Sequence, residues 1–192
     1  MEPERSRCGW ATSAPEYVAY HDEEWGRQLR GDDALFERLC LEAFQSGLSW
    51  ITILRKRPAF RAAFAGFAID AVAEFTAEDE ERLMADAGIV RNRAKVRAAI
   101  GNARAAQRLP EGLSELLWSF APTGPQPRPA TLADVPATSP ESVAMARGLK
   151  RRGFVFVGPT TAYALMQATG MVDDHVAGCF RAQPEGTHPG AE

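Results

Sequence analysis

Between residues 33 and 46 the apolar side chains Leu35, Phe36, Leu39, Cys40, Ala43 and Phe44 recur three and four positions apart, which predicts an amphipathic helix. Pro58 opens a further predicted helix running to Phe64. Thr76 followed by Asp79 has the form of a capping box with Asp in place of Glu, and Gly88 is a natural stop, so 77–87 reads as one short helix. A second helix is predicted over 92–107 and a short one over 111–120. Pro122, Pro125, Pro127, Pro129 and Pro136 then mark 121–136 as a linker or extended connection. Ser139 with Pro140 starts a basic helix that Gly153 stops, and Gly158 with Pro159 opens another that ends near Gly170. Only 154–157 reads as extended, and a single such run builds no sheet. The predicted fold class is therefore all-α, in one domain with a second lobe formed by the two chain ends.

At 192 residues the chain is long enough for such a domain to form its own core. No apolar run approaches a membrane span and the first residues lack the apolar core of a signal peptide, so a cytoplasmic protein is expected. In that reducing setting Cys8, Cys40 and Cys179 are better suited to metal ligation or core packing than to disulfides. The net charge of −3 argues against a generic nucleic-acid binder. The distribution of that charge points the other way, because Arg91, Arg93, Lys95, Arg97, Arg104 and Arg108 follow one another with no acid between them, while 74–81 is strongly acidic. Two more clusters, Arg147 with Lys150, Arg151 and Arg152, and Arg55 with Lys56, Arg57 and Arg61, could extend a positive face; a solvated helix surface is the alternative.

Cys8 and His21 lie near one end of the chain, and His175 and Cys179 near the other. The second pair is spaced i, i+4, which puts both side chains on one face if 174–179 is helical. Together the four would make a closed tetrahedral Cys2His2 site suited to zinc, structural because no coordination position is left open, clipping the chain ends together. Cys8 and Cys179 as ordinary buried thiols remain the alternative. Cys40 sits on an apolar stripe and reads as core, and His188 falls in a Pro- and Gly-containing tail expected to stay outside the packed structure.

Glu42 falls in line with Leu35 and Leu39, so a carboxylate occupies the face that the pattern buries. It needs a partner, unless a nearby Arg neutralises it or it lies at the edge of the stripe. Trp10, Tyr17, Tyr20, Trp25 and Trp50 crowd the same part of the sequence; each alone is ordinary core. Ring faces attract positive charge and an anion neutralises it, so a carboxylate among them suits a flat cationic ligand.

Residues 8–10 (CGW), 17–25 (YVAYHDEEW), 41–50 (LEAFQSGLSW), 86–103 (DAGIVRNRAKVRAAIGNA), 150–158 (KRRGFVFVG) and 174–179 (DHVAGC) together resemble the type I 3-methyladenine DNA glycosylase family, over essentially 8–180. The resemblance implies a helix-hairpin-helix glycosylase fold and excision of 3-methyladenine from alkylated double-stranded DNA, with the free base as product. It further implies Cys8, His21, His175 and Cys179 as ligands of one structural zinc ion, and Glu42, Trp10, Tyr17, Tyr20 and Trp50 as the base pocket, with Glu42 the catalytic candidate. A glycosylase domain is then expected over 1–180, with the hairpin region at 77–107, a terminal lobe from 1–30 and 140–180, and a tail at 181–192; the expected state is a monomer.

The chemistry agrees. Methylation at N3 leaves the base cationic, which weakens the glycosidic bond before the enzyme acts; extrusion, stacking and hydrogen bonds from the adenine edge to Glu42 would supply the rest. No Asp occurs between Asp86 and Asp134, where many hairpin glycosylases carry their catalytic aspartate. Hydrolysis without a lysine Schiff base, and so without lyase activity, is expected. The hairpin lies around Gly88–Asn92 in the sequence, where Gly88, Arg91, Asn92 and Lys95 are candidates for holding a DNA phosphate. Two rivals are a non-catalytic DNA-damage-binding module, which would not require Glu42 in an aromatic box, and a zinc hydrolase, which would need an open coordination position.

Overall fold

A computed structural model describes residues 5–124 and 126–182. Among them are nine α-helices and no strand: α1 (Pro15–Glu23), α2 (Asp32–Gln45), α3 (Trp50–Ala63), α4 (Ile69–Ala73), α5 (Ala77–Ala85), α6 (Arg93–Gln107), α7 (Leu113–Trp118), α8 (Pro140–Arg151) and α9 (Pro159–Ala168), with single 3-10 turns at Gly9–Thr12, Ala65–Phe67 and Leu132–Asp134. The all-α expectation holds. Two of the predicted helices have clear local causes: Asn92 accepts a hydrogen bond from Lys95 N at 3.2 Å to start α6, and Ser139 accepts one from Ser142 N at 3.2 Å ahead of Pro140 to start α8. The Thr76–Asp79 capping box forms as expected at the start of α5.

α2 is the central element. It packs against α3, α4, α6, α7 and α9, and its apolar stripe is fully buried. Phe44 meets Phe60 with ring centroids 4.7 Å apart, and Phe64 stacks on Phe67 at 5.4 Å, so one aromatic column joins α2 to α3 and the turn after it. At the end of α2 the chain turns through 46–49 and immediately starts α3 at Trp50. The two helices thus present Glu42 and Trp50 at one end of the bundle. α5 and α6 are joined by the segment 86–92, which makes a helix-hairpin-helix unit.

Four expectations need correction. α3 begins at Trp50, so Pro58 lies inside it; the ring is exposed, where water can take the carbonyl that loses its donor. The helix at 77–87 ends at Ala85, because the Asp86 carboxylate accepts from Gly88 N at 2.7 Å and turns the chain. Residues 154–157 are not a strand: Asn102 of α6 donates to Val155 O at 3.0 Å and accepts from Val155 N at 2.9 Å, so one amide side chain satisfies the main chain there. Residues 174–179 are not helical either. They form an irregular segment in which Cys179 N donates to Val176 O at 3.0 Å around Gly178, whose φ of 85° is one that L side chains resist. His188 and 183–192 of the tail lie outside the described residues, as does Pro125 of the connection. No helix is long and apolar enough to cross a membrane.

Candidate active site and metal centre

Phe180 N donates to Ser6 O at 2.9 Å, so the two ends of the described chain meet. Beside that contact Cys8, His21, His175 and Cys179 are all buried, and their ligand atoms all lie within 4.8 Å of one another. The Sγ–N separations are 3.6 Å for Cys8–His175, 3.4 Å for Cys179–His21 and 3.6 Å for Cys179–His175. Bonds of about 2.3 Å to sulfur and about 2.0 Å to nitrogen give a tetrahedral S···N edge of roughly 3.6 Å, so the cluster fits one tetrahedral metal ion. The turn at Gly178, rather than a helix face, brings His175 and Cys179 together.

Further groups orient the ligands. His21 Nδ1 lies 2.8 Å from Asp22, whose carboxylate accepts from Arg7 at 2.7 Å, leaving Nε2 for the cluster. The Trp25 carbonyl accepts from the His175 ring, and a Cβ on Gly26 would come within 2.9 Å of His175 Nε2, so only glycine fits there. Burial pushes the Cys8 thiol up to about 12 and the His175 imidazole down to about 4. Those shifts describe the bare donors; a cation would favour the thiolate and the neutral imidazole that coordination needs.

The second feature adjoins the first through two tryptophans. Trp10 lies 5.4 Å from the His21 ring and 5.2 Å from Trp25, and Trp25 lies 4.7 Å from His175. Both rings also line a cavity of about 640 Å³, into whose wall the structure gathers Tyr17, Tyr20, Glu42 and Trp50. Every residue expected in the base pocket is therefore in one place. Tyr17 and Tyr20 come from α1, a helix the hydrophobic pattern does not predict because the residues it buries are Tyr20 and His21. Tyr17 Oη accepts from Ile51 N at 3.0 Å, which fixes its hydroxyl on the first turn of α3.

Glu42 is 7% exposed, and no side chain among the described residues hydrogen-bonds its carboxylate. Burial pushes its pKa up to about 7, and the positive charge of Arg38 opposes that rise. The expected neutralisation by a nearby Arg is thus only partial, since the guanidinium of Arg38 is bonded to Glu24. The Trp50 indole N–H, also buried, has no hydrogen-bond partner among the described residues. Opposite them Asp174 accepts hydrogen bonds from Tyr163 and Gln167, each at 2.8 Å. Asp174 and Gln167 line the cavity together with Leu132 and Val135 from the proline-rich connection. These four were not expected in the pocket. For Asp174 a signal existed, its place beside two metal ligands in 174–179; for the connection there was none.

The hairpin residues divide. Gly88, Arg91 and Asn92 sit in the turn and at the cap of α6, and Arg91 is exposed with no ion pair among the described residues. Lys95 is different: it is buried, and its ammonium donates to Phe44 O at 2.9 Å and Ser46 O at 2.6 Å. Expected to meet a phosphate, it instead closes the carbonyl end of α2. Lys56 braces the hairpin from behind through Ala87 O and Gly88 O at 3.0 and 3.1 Å. The positive face is also smaller than the sequence implies, because Arg93 and Arg97 pair with Glu80 and Arg57 with Glu24. Arg147, Lys150 and Arg151 of α8 remain exposed, with no such partners among the described residues.

Comparison with known proteins agrees with this geometry. The sequence model of the methyladenine glycosylase family matches residues 10–182. DNA-3-methyladenine glycosylase 1 of Escherichia coli (strain K12) is 49% identical over 177 residues, which cover 90% of this chain and 95% of that protein. Among solved structures, a crystal structure of a 3-methyladenine DNA glycosylase I matches with a TM-score of 0.88 at 45% identity, covering 93% of this chain and 100% of that one. A 3-methyladenine DNA glycosylase I from Staphylococcus aureus, solved for the structural basis of its 3-methyladenine recognition, matches with a TM-score of 0.87 at 33% identity, covering 93% of this chain and 97% of that one.

Proposed function

The chain belongs to the methyladenine glycosylase family, and from that premise we propose that it excises 3-methyladenine from alkylated double-stranded DNA by hydrolysis, with the damaged base flipped into the cavity around Glu42. The observation that carries this reading is a buried carboxylate that has no hydrogen-bond donor among the described residues, set in an aromatic wall. An extruded base has a flat face to stack and an edge that donates hydrogen bonds. Trp10, Tyr17, Tyr20 and Trp50 offer the faces, and Glu42 accepts from the edge. The base is cationic in the nucleotide, so its charge draws the Glu42 proton off and strengthens the pair.

Cleavage sends the electrons of the glycosidic bond to the base, which leaves as neutral 3-methyladenine; water adds to the sugar carbon and gives up a proton. No lysine is needed. The chain has only Lys56, Lys95 and Lys150, and none lines the cavity. Hydrolysis without lyase activity follows. Gly88, Arg91 and Asn92 would hold the backbone near the lesion through main-chain amides and the exposed Arg91 guanidinium. One zinc ion on Cys8, His21, His175 and Cys179 would serve as a structural clip, because the four donors fill a tetrahedron and leave no position for substrate. A cytoplasmic monomer suits these roles, with 1–180 acting as one glycosylase domain.

The test is release of free bases from methylated duplex DNA. The intact protein should release 3-methyladenine selectively, and Glu42→Ala and Trp50→Ala should each lower the rate by about a hundredfold or more, the size of effect that removing one positioned polar group commonly has. A folded, metal-loaded protein that binds alkylated DNA and releases no base would replace this reading with that of a damage-binding module.

A further inference from the structure

A chain of alternating charges, two half-buried and two buried, runs behind the pocket wall. Arg57 of α3 donates to both oxygens of Glu24, at 2.6 and 2.7 Å. Arg38 of α2 donates to the same carboxylate. One helical turn further along α2 stands Glu42, on which Arg38 is the acting charge. The Arg38 guanidinium also lies 5.4 Å from the centroid of the Tyr20 ring, which lines the cavity, and its Nη1 is buried with no hydrogen-bond partner among the described residues.

Arg57 already binds both oxygens of Glu24, so Glu24 does not need Arg38 for neutrality. Keeping a second arginine 8% exposed with an empty donor is costly. The formal charges show what it does. Arg57, Glu24, Arg38 and Glu42 sum to zero only when Glu42 is ionised; a protonated Glu42 leaves a net positive charge behind a pocket that must accept a cation. Of the other groups facing Glu42, Tyr17 and Tyr20 from α1 and Trp50 from α3 are uncharged side chains, and Asp174, held by the neutral donors Tyr163 and Gln167, is a separate acidic group of the cavity lining outside this chain of charges.

We propose that Arg38 is a positioning residue for base recognition: pinned by Glu24 and laid against Tyr20, it favours the anion of Glu42 against burial, so that the cationic base draws off the remaining proton more readily than it would without the arginine. The inference rests on the role given to Glu42 above, and the experiment separates the two. Excision is followed against pH for the intact protein, Arg38→Met, Arg38→Gln and Arg38→Lys, and the carboxyl signal of Glu42, assigned by its loss in Glu42→Gln, is titrated by carbon NMR in the same proteins. With Arg38→Met or Arg38→Gln the acid limb should move up by about one pH unit, a roughly tenfold lower rate at about pH 6, while the rate at about pH 8.5 stays within about threefold. Arg38→Lys should restore most of the shift, and the NMR midpoint should move with the limb. A folded Met or Gln variant whose limb and Glu42 midpoint stay in place overturns the role of Arg38. Absence of excision in every protein, with the Glu42 midpoint still moved by Arg38, instead overturns the glycosylase reading and leaves the electrostatic link standing.

Discussion

The cluster at the chain ends and the cavity around Glu42 share the rings of Trp10 and Trp25, yet they treat buried polarity in opposite ways. In the cluster the donors face inward at the spacing of one tetrahedral ion, and groups such as Asp22 and the Trp25 carbonyl take up the remaining ring nitrogens. Nothing is left for a visitor. In the cavity, Glu42 has no donor and Trp50 Nε1 no acceptor among the described residues. A buried polar group without a partner costs stability, so the fold tolerates it where a ligand completes it. The contrast separates a part that holds the molecule together from a part that receives something. The two regions also adjoin, because the rings of Trp10 and Trp25 touch the histidines of the one and line the other.

The largest effect should come from opening the filled region. Stripping the metal with a chelator, or substituting Cys179→Ser, should lower Tm by about 10 °C or more, since each kcal/mol lost moves Tm roughly 2–4 °C in a chain of this size and a closed site contributes several. Calorimetry with and without added zinc checks it. A stripped protein that melts unchanged would mean that the hydrogen bond between Phe180 and Ser6 and the surrounding packing hold the ends without an ion. Because Trp10 and Trp25 stand between the two regions, the stripped protein should also lose affinity for the free base.

Filling the unfilled region should do the reverse. The Glu42 pKa stands at about 7 against an ordinary 4.5, owing first to burial. As pH rises past the ordinary value, the unfolded chain releases this proton while the folded one retains it, so the folded state loses stability until pH passes about 7. Glu42→Gln removes that cost. The variant should match the intact protein at about pH 4, gain progressively between about pH 4.5 and pH 7, and be more stable by about 3 kcal/mol above that, while excising poorly. Denaturant titrations across pH read it, and a gain independent of pH would show that the shape of the amide, not the carboxylate's charge, is responsible.

The same division governs what was legible in the sequence. α2, α6, α8 and α9 were readable because an apolar stripe or a capping residue is a local signal, present whatever the rest of the chain does. α1 was not, because it buries Tyr20 and His21 for the site and so shows no stripe. The first half of α3 was hidden for a similar reason: Ile53 and Leu54 face inward but are followed at once by Arg55, Lys56 and Arg57. In the site, ligand types and their distribution at the two chain ends pointed to the cluster, although the turn at Gly178 replaced the helix assumed for its second half. The family motifs assembled the pocket. What no local pattern carries is a pairing across the fold, such as Arg38 with Glu24, 14 residues apart in sequence, or Lys95 with the end of α2.

Lys95 and Arg91 repeat the contrast at small scale within the hairpin. Both are cations of a basic run, but Lys95 donates to Phe44 O and Ser46 O while Arg91 is exposed, with no ion pair among the described residues. Arg91→Ala should weaken binding to duplex DNA of any sequence and reduce the slope of log affinity against log salt by about 1, the effect of one lost phosphate contact. Lys95→Met should leave that slope unchanged and lower Tm by a few degrees, because the two carbonyls lose a charged donor worth about 1.5–3 kcal/mol and water near the turn recovers part of it. Fluorescence anisotropy at several salt concentrations, beside thermal melts, reads both. If Lys95→Met changes the salt slope as Arg91→Ala does, the lysine must leave its carbonyls when DNA binds, and the turn at 46–49 that it fastens would then be released by the substrate itself.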